Sequence, residues 1–159
     1  MRQENQLFTP YKVINDIESL EISDKLLLQK AIEASQLAYA PYSKFYVGAA
    51  LELLDGTIVM GSNQENASYP LCLCAERVAL AAASNYNMGV KTIAVMARNP
   101  RAKLRKPISP CGACRQVILE TERRFDQKIR IILYGETGEV FLIDSGNDLL
   151  PLSFDGGVL

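Results

Sequence analysis

The chain has 159 residues, 48% apolar and 22% charged, the make-up of one ordinary domain with a core of useful size. Its formal net charge of −1 excludes any general attraction to nucleic acid or to an anionic membrane surface. No apolar run approaches the roughly 18 residues needed to cross a bilayer, and the opening MRQENQLFTPYKVIND lacks the basic-then-apolar layout of a secretory signal.

Residues 1–23 are mixed in character and read as an N-terminal extension, with residues 24–159 forming a single domain. From Ser23, which offers an N-cap, Leu27, Leu28, Ala31, Ile32, Ala34 and Ala38 recur at helical spacing until Pro41 stops the helix. FYVGAALELLDGTIVMG then predicts two strands around Asp55-Gly56, a favoured hairpin turn. CAERVALAAAS has the propensity of a helix, and its small side chains allow close approach by other elements or another subunit. KTIAVMA (91–97) predicts a buried strand, followed by a loop and a helix over about 111–125. KIRIILYG (128–135) and EVFLI (139–143) complete the strands. A strand–helix–strand order from 91 to 135 implies a parallel pair with a right-handed crossover, while the earlier hairpin makes the sheet mixed. The expected fold class is α/β: a three-layer α/β/α sandwich around a mixed five-stranded sheet.

The chain has four cysteines, Cys72, Cys74, Cys111 and Cys114, and no histidine. In the expected cytoplasmic location, paired cysteines point to metal or redox chemistry rather than structural disulfides. Both clusters fall where a helix begins. Pro110 precedes Cys111, and Cys111 and Cys114, three apart, share one helix face. The positive end of a helix favours thiolate, the species that binds metal. Two helix starts aimed at one point could deliver Cys74, Cys111 and Cys114 to a single zinc, and the role of Cys72 decides the kind of site. Three protein ligands leave a fourth position for water, whereas adding Cys72 would close the site as a structural one. Glu76, in the first turn after Cys74, is then either a surface carboxylate that complements the helix dipole or a proton carrier beside the metal.

Cys-Ala-Glu followed by Pro-Cys-x-x-Cys resembles the zinc nucleoside-deaminase signature, in which the glutamate is not a ligand. With Cys74 as first ligand the chain is similar to the small homotetrameric cytidine deaminases. AYAPYSKFYVGAAL (38–51), NQENASYP (63–70), CAERVAL (74–80) and SPCGACRQVI (109–118) match that family's blocks in order, within residues 24–154. The departures are the N-terminal extension and the basic loop RNPRAKLRKP (98–107).

The resemblance implies a cytidine-deaminase-like fold holding one Zn²⁺ per subunit on Cys74, Cys111 and Cys114. It implies hydrolytic deamination of cytidine and 2′-deoxycytidine to uridine and 2′-deoxyuridine, in pyrimidine salvage. Glu76 is implied as the catalytic proton carrier, and Arg77 as a hydrogen-bond donor to zinc-bound sulfur that offsets the charge of three thiolates. Asn63 and Glu65 would hold the ribose, Glu65 and the Ala67 backbone the base, and Phe45 would pack on the ring. Tyr69 and Phe154 would serve a neighbouring subunit's pocket, so the partners implied are a nucleoside and three further copies of the chain, with no nucleic acid and no membrane.

Three other readings compete. One is deamination of another nucleoside or of a polynucleotide, with the basic loop on phosphate. Another is a dithiol redox pair in PCGAC. The last is a non-catalytic four-cysteine zinc module.

Overall fold

The structure, a computed structural model, describes Glu4 and residues 6–156. Residues 1–3 and 5 of the extension and 157–159 of the domain lie outside the described residues. Among the described residues six strands form one sheet in the order β1-β6-β5-β4-β2-β3, from β1 (Lys12–Ile14), β2 (Tyr46–Leu53), β3 (Ile58–Ser62), β4 (Val90–Arg98), β5 (Arg130–Tyr134) and β6 (Val140–Ile143). Only β4 and β5 pair in parallel, and helix α3 (Gly112–Phe125) provides their crossover. Helices α1 (Ile22–Ser35), α2 (Ala75–Ala83) and α3 flank the sheet, giving the mixed α/β sandwich read from the sequence.

The strand count is a correction: six, not five. The extra strand comes from the extension, where β1 pairs antiparallel with β6 and Tyr11 packs on Phe141 with ring centroids 4.9 Å apart. A three-residue strand is too short for an alternating pattern to stand out. Helix α1 also starts one residue ahead of Ser23, with Glu21 as an N-cap that makes no side-chain bond. Its first turn is held instead by Asp24, buried and paired with Arg130 of β5 at 2.7 Å.

Each face of the sheet has its own core. Leu27, Leu28 and Ala31 of α1 pack with Ala50, Ala94 and Ile132 on one face. Ala75, Ala79 and Ala83 of α2 and Ile118 of α3 pack with Leu51, Ile93, Ile131 and Leu133 on the other. Burying a side chain the size of Leu or Ile contributes about 1.5–3 kcal/mol, so each face is a substantial anchor.

Close backbone approach fixes the seat of α2. A Cβ added at Gly61 of β3 would lie 2.5 Å from the Ala79 nitrogen and 2.6 Å from the Ala75 carbonyl oxygen. Helix α2 therefore lies nearly on the strand, and the end that carries Cys74 and Glu76 cannot drift. The alanine row divides accordingly. Ala79 and Ala83 are consumed inside the subunit, while Ala81 faces outward.

Candidate metal and nucleoside site

The N-termini of α2 and α3 meet beside the sheet. Cys74 and Cys111 occupy the N-cap positions of the two helices, both with extended backbone and neither making a side-chain cap bond. Serine or aspartate at an N-cap usually turns its oxygen onto the helix amides, whereas here the thiols stay available. Cys114 follows in the first turn of α3. Its sulfur lies 3.5 Å from that of Cys111, which lies 3.8 Å from that of Cys74. All three ligand atoms fall within 4.8 Å of one another. Tetrahedral zinc with Zn–S bonds of about 2.3 Å needs sulfurs about 3.8 Å apart, so the three thiols fit that ion.

Charge is arranged for the same purpose. Within the thiol cluster the Cys74 thiol is drawn down to about 5, first by the hydrogen bond with Cys114 and, against burial, by Arg77. Cys114 moves the other way, pushed up by its bond to Cys74, by burial and by the nearby Glu76 charge. Arg77 donates from Nη2 to the Cys72 carbonyl at 3.1 Å and lies 4.0 Å from the Cys74 sulfur, while its Nε is buried with no partner among the described residues. Positive charge at this point suits a cluster of thiolates.

Cys72 stands outside the cluster. Its sulfur accepts the Asn66 amide at 3.2 Å, and the half-buried side chain lines the cavity rather than the core. This disfavours the closed four-cysteine module. The third thiol beside Cys111 and Cys114 likewise disfavours a simple dithiol pair.

Glu76 is 4% exposed. Burial pushes its carboxyl above the usual range, and the Cys74 charge adds to the effect. It shares a cavity of about 470 Å³ with Cys74, Cys111, Phe45, Asn63 and Glu65, a size suited to one small ligand. Val95, Ala97 and Ile108 give that cavity an apolar wall.

The segment between β3 and α2 is closed on itself. Gln64 and Leu73 exchange both backbone hydrogen bonds at 2.9 Å, and Tyr39 pairs with Asn63 and Glu65 on the other side. Asn63 uses Oδ1 on the Val47 amide at 2.8 Å and Nδ2 on the Phe45 carbonyl at 2.9 Å, so it sets Phe45 in place. Glu65 takes the Tyr42 amide at 2.8 Å and the Ser43 amide at 3.3 Å on one carboxylate oxygen. Burial is the largest single influence and pushes its carboxyl up, but the hydrogen bonds from Ser43 and Tyr42, helped by the Lys44 charge, together outweigh it and hold the carboxyl below the ordinary value.

The remaining predicted residues lie outside this cavity. Tyr69 lines an adjoining pocket of about 280 Å³ with Tyr42, Ser43, Glu65 and Cys72. Ala67 is exposed, and Phe154 is 65% exposed with its carbonyl held by Gln116 at 3.0 Å. In the basic loop, Arg98 stacks on Tyr46 at 4.3 Å and donates to the Ser35 carbonyl at 3.4 Å. Glu136 accepts the Asn99 and Leu104 amides, which folds the loop onto the turn after β5. Sequence reasoning missed Arg115 and Glu122 of α3, which hold the segment after β6 that lies far along the chain.

The family model described as the cytidine and deoxycytidylate deaminase zinc-binding region matches residues 21–127. The chain belongs to this family. A cytidine deaminase of Halalkalibacterium halodurans is 48% identical over 132 residues, spanning 82% of this chain and 92% of that protein. The crystal structure of a Burkholderia pseudomallei cytidine deaminase superposes with a TM-score of 0.71 at 42% identity, covering 81% of this chain and 97% of that one. The Mycobacterium tuberculosis cytidine deaminase structure gives a TM-score of 0.64 at 31% identity, covering 85% and 99%. This is a zinc-dependent hydrolase family, and among the described residues Cys74, Cys111 and Cys114 are the one group of three that could hold its metal. No helix among the described residues is long and apolar enough to cross a membrane.

Proposed function

We propose that the protein is a zinc-dependent cytidine deaminase that converts cytidine and 2′-deoxycytidine to uridine and 2′-deoxyuridine with release of ammonia. The observation that carries this reading is the buried carboxyl of Glu76 in the same nucleoside-sized cavity as two of the three clustered thiols. Cys74, Cys111 and Cys114 hold the metal, which supplies a Lewis acid that makes water a usable nucleophile near neutral pH.

Glu76 carries the protons. It takes one from the water that attacks C4 of the base and delivers it to N3. It then assists departure of the amino group as ammonia. A carboxyl raised towards neutrality both accepts and returns a proton readily. The apolar wall keeps bulk water from the base.

Phe45 packs on the ring. Asn63 and Glu65 hold the ribose with the capacity that their structural bonds leave over. The amide keeps a second N–H and a second lone pair, and the carboxylate keeps its other oxygen. Glu65 and the Ala67 backbone meet the base. Tyr69 and Phe154, both exposed at the surface of the subunit, fit a homotetramer in which each reaches a neighbour's site. The setting is nucleoside salvage in the cytoplasm.

Loss of ultraviolet absorbance as cytidine becomes uridine tests the reading directly. Free cytosine should react at least about 10³-fold more slowly, because polar groups built for sugar hydroxyls are then left unpaired. Comparable rates on base and nucleoside would overturn the roles of Asn63 and Glu65. Single-stranded DNA or RNA should be inert, and salt-sensitive turnover of either would shift the substrate to a polynucleotide.

A further inference from the structure

Helix α3 bears more than metal ligands. Arg115, the residue after Cys114, is half-buried and has both edges of its guanidinium committed. Nε donates to the Pro110 carbonyl at 2.8 Å and Nη1 to the Leu149 carbonyl at 2.9 Å. Pro110 is buried and immediately precedes Cys111, whereas Leu149 ends the 3-10 turn Gly146–Leu149 that follows β6.

The same C-terminal segment is gripped further along the helix. Glu122, 7% exposed, accepts the Gly146 amide at 2.8 Å, the Asn147 amide at 3.2 Å and the Ser145 hydroxyl at 3.0 Å. Gln116 holds the Phe154 carbonyl at 3.0 Å, and Arg123 pairs with Asp155 at 3.0 Å. Of these four side chains, Arg115 is the one whose second bond reaches the loop leading into Cys111.

Cys111 depends on that loop. It is exposed, and its side chain makes no capping bond to the helix, so the backbone on its N-terminal side sets where its sulfur points. A carbonyl pinned one residue away restrains the backbone from which that side chain projects. Two carbonyls in different segments call for two N–H groups at a set spacing, which a planar guanidinium offers and a lysine ammonium does not.

We propose that Arg115 is a positioning residue that fixes Cys111 for zinc and ties the C-terminal segment to the metal centre. Metal on Cys111 steadies the Pro110 carbonyl, which holds Arg115 where Leu149 meets it. Linkage makes the effect reciprocal, so an ordered C-terminal segment also tightens the metal. The proposal rests on Cys111 being a zinc ligand.

Two measurements test it, after the wild-type chain has been assayed for one zinc. The first is the rate of zinc release to a chromophoric chelator for wild type, Arg115→Gln and Arg115→Lys. Release should be about tenfold faster in both variants, with no rescue by lysine, as for other groups that orient a metal ligand. The second is amide hydrogen exchange of residues 146–150 in wild-type protein with and without zinc. Metal should slow exchange there, and both variants should lose that response while β4 and β5 exchange as before. Release at the wild-type rate, or exchange at 146–150 indifferent to zinc in the wild type, overturns the proposal. Faster exchange throughout β4 and β5 also overturns it, by making Arg115 a general stabiliser. A wild-type chain without stoichiometric zinc would remove the ligand reading and this proposal together, whereas the other outcomes remove the proposal alone.

Discussion

Arg77 and Cys74 stand one helical turn apart, with the arginine's Nη2 4.0 Å from the cysteine sulfur. Three thiolates on Zn²⁺ carry a net charge of −1, which by itself makes a water ligand less acidic. In the proposed reading the guanidinium, whose Nε is buried and unpartnered among the described residues, withdraws part of that charge. Arg77→Gln should lower turnover by about tenfold, within the range for partners of metal ligands. The sign of the pH effect follows. Removing a cation raises the pKa that must be crossed to generate the nucleophile, so the low-pH limb of the rate profile should move to higher pH. An unchanged profile would show that Arg77 does not compensate the charge.

Zinc content separates the thiols. Replacing Cys74, Cys111 or Cys114 by Ala should reduce metal from one per chain towards none and lower the melting temperature, since metal binding adds to folding free energy. Cys72→Ser should retain zinc, because that sulfur is engaged with the Asn66 amide instead. Equal loss of metal from all four variants, read by elemental analysis, would restore the closed four-thiolate site. Stripping zinc from the wild type with a chelator should lower its melting temperature as well.

Glu76→Gln keeps the shape of the side chain and removes its ability to carry a proton. Zinc content and nucleoside binding should persist while turnover falls by at least about 10²-fold. A loss below tenfold in the absorbance assay would take Glu76 out of the chemistry.

Phe154 is tested by complementation. Phe154→Ala should raise the apparent KM about two- to tenfold with zinc retained, as stacking contributes about 0.5–1.5 kcal/mol beyond burial. Mixing Glu76→Gln subunits with a damaging Phe154 variant and letting them exchange creates pockets with an intact glutamate and a neighbour's intact aromatic. Activity should partly return. If exchange is shown by mass and activity stays flat, Phe154 does not act across the interface.

The site was legible where chemistry needs several residue types at short spacing. Cys74-Ala75-Glu76 and Pro110 followed by Cys111 and Cys114 marked helix starts as well as ligands, and the structure brings those thiols together. Side chains that act through the backbone of distant segments left no such trace. Glu122 lies in LETERRF, where nothing tells a solvated carboxylate from one that gathers four donors, the farthest 25 positions along the sequence. The structural bonds of Asn63 and Glu65 were hidden for the same reason, since their partners at Val47, Phe45, Tyr42 and Ser43 meet them only in the folded loop. Strand β1 escaped because three residues cannot display a period.

That short strand has a consequence for solution behaviour. Without it, β6 would present a row of unsatisfied amides and carbonyls and the ring of Phe141 at the margin of the sheet, an invitation to pairing with another chain. With Lys12–Ile14 in place, the margin becomes three residues long and carries a lysine that pairs with Asp144 at 3.4 Å. A strand so brief and charged is a poorer template for β-association than β6 would be, so at this edge of the sheet the N-terminal segment works against unwanted pairing from a position well outside the motifs that define the chemistry.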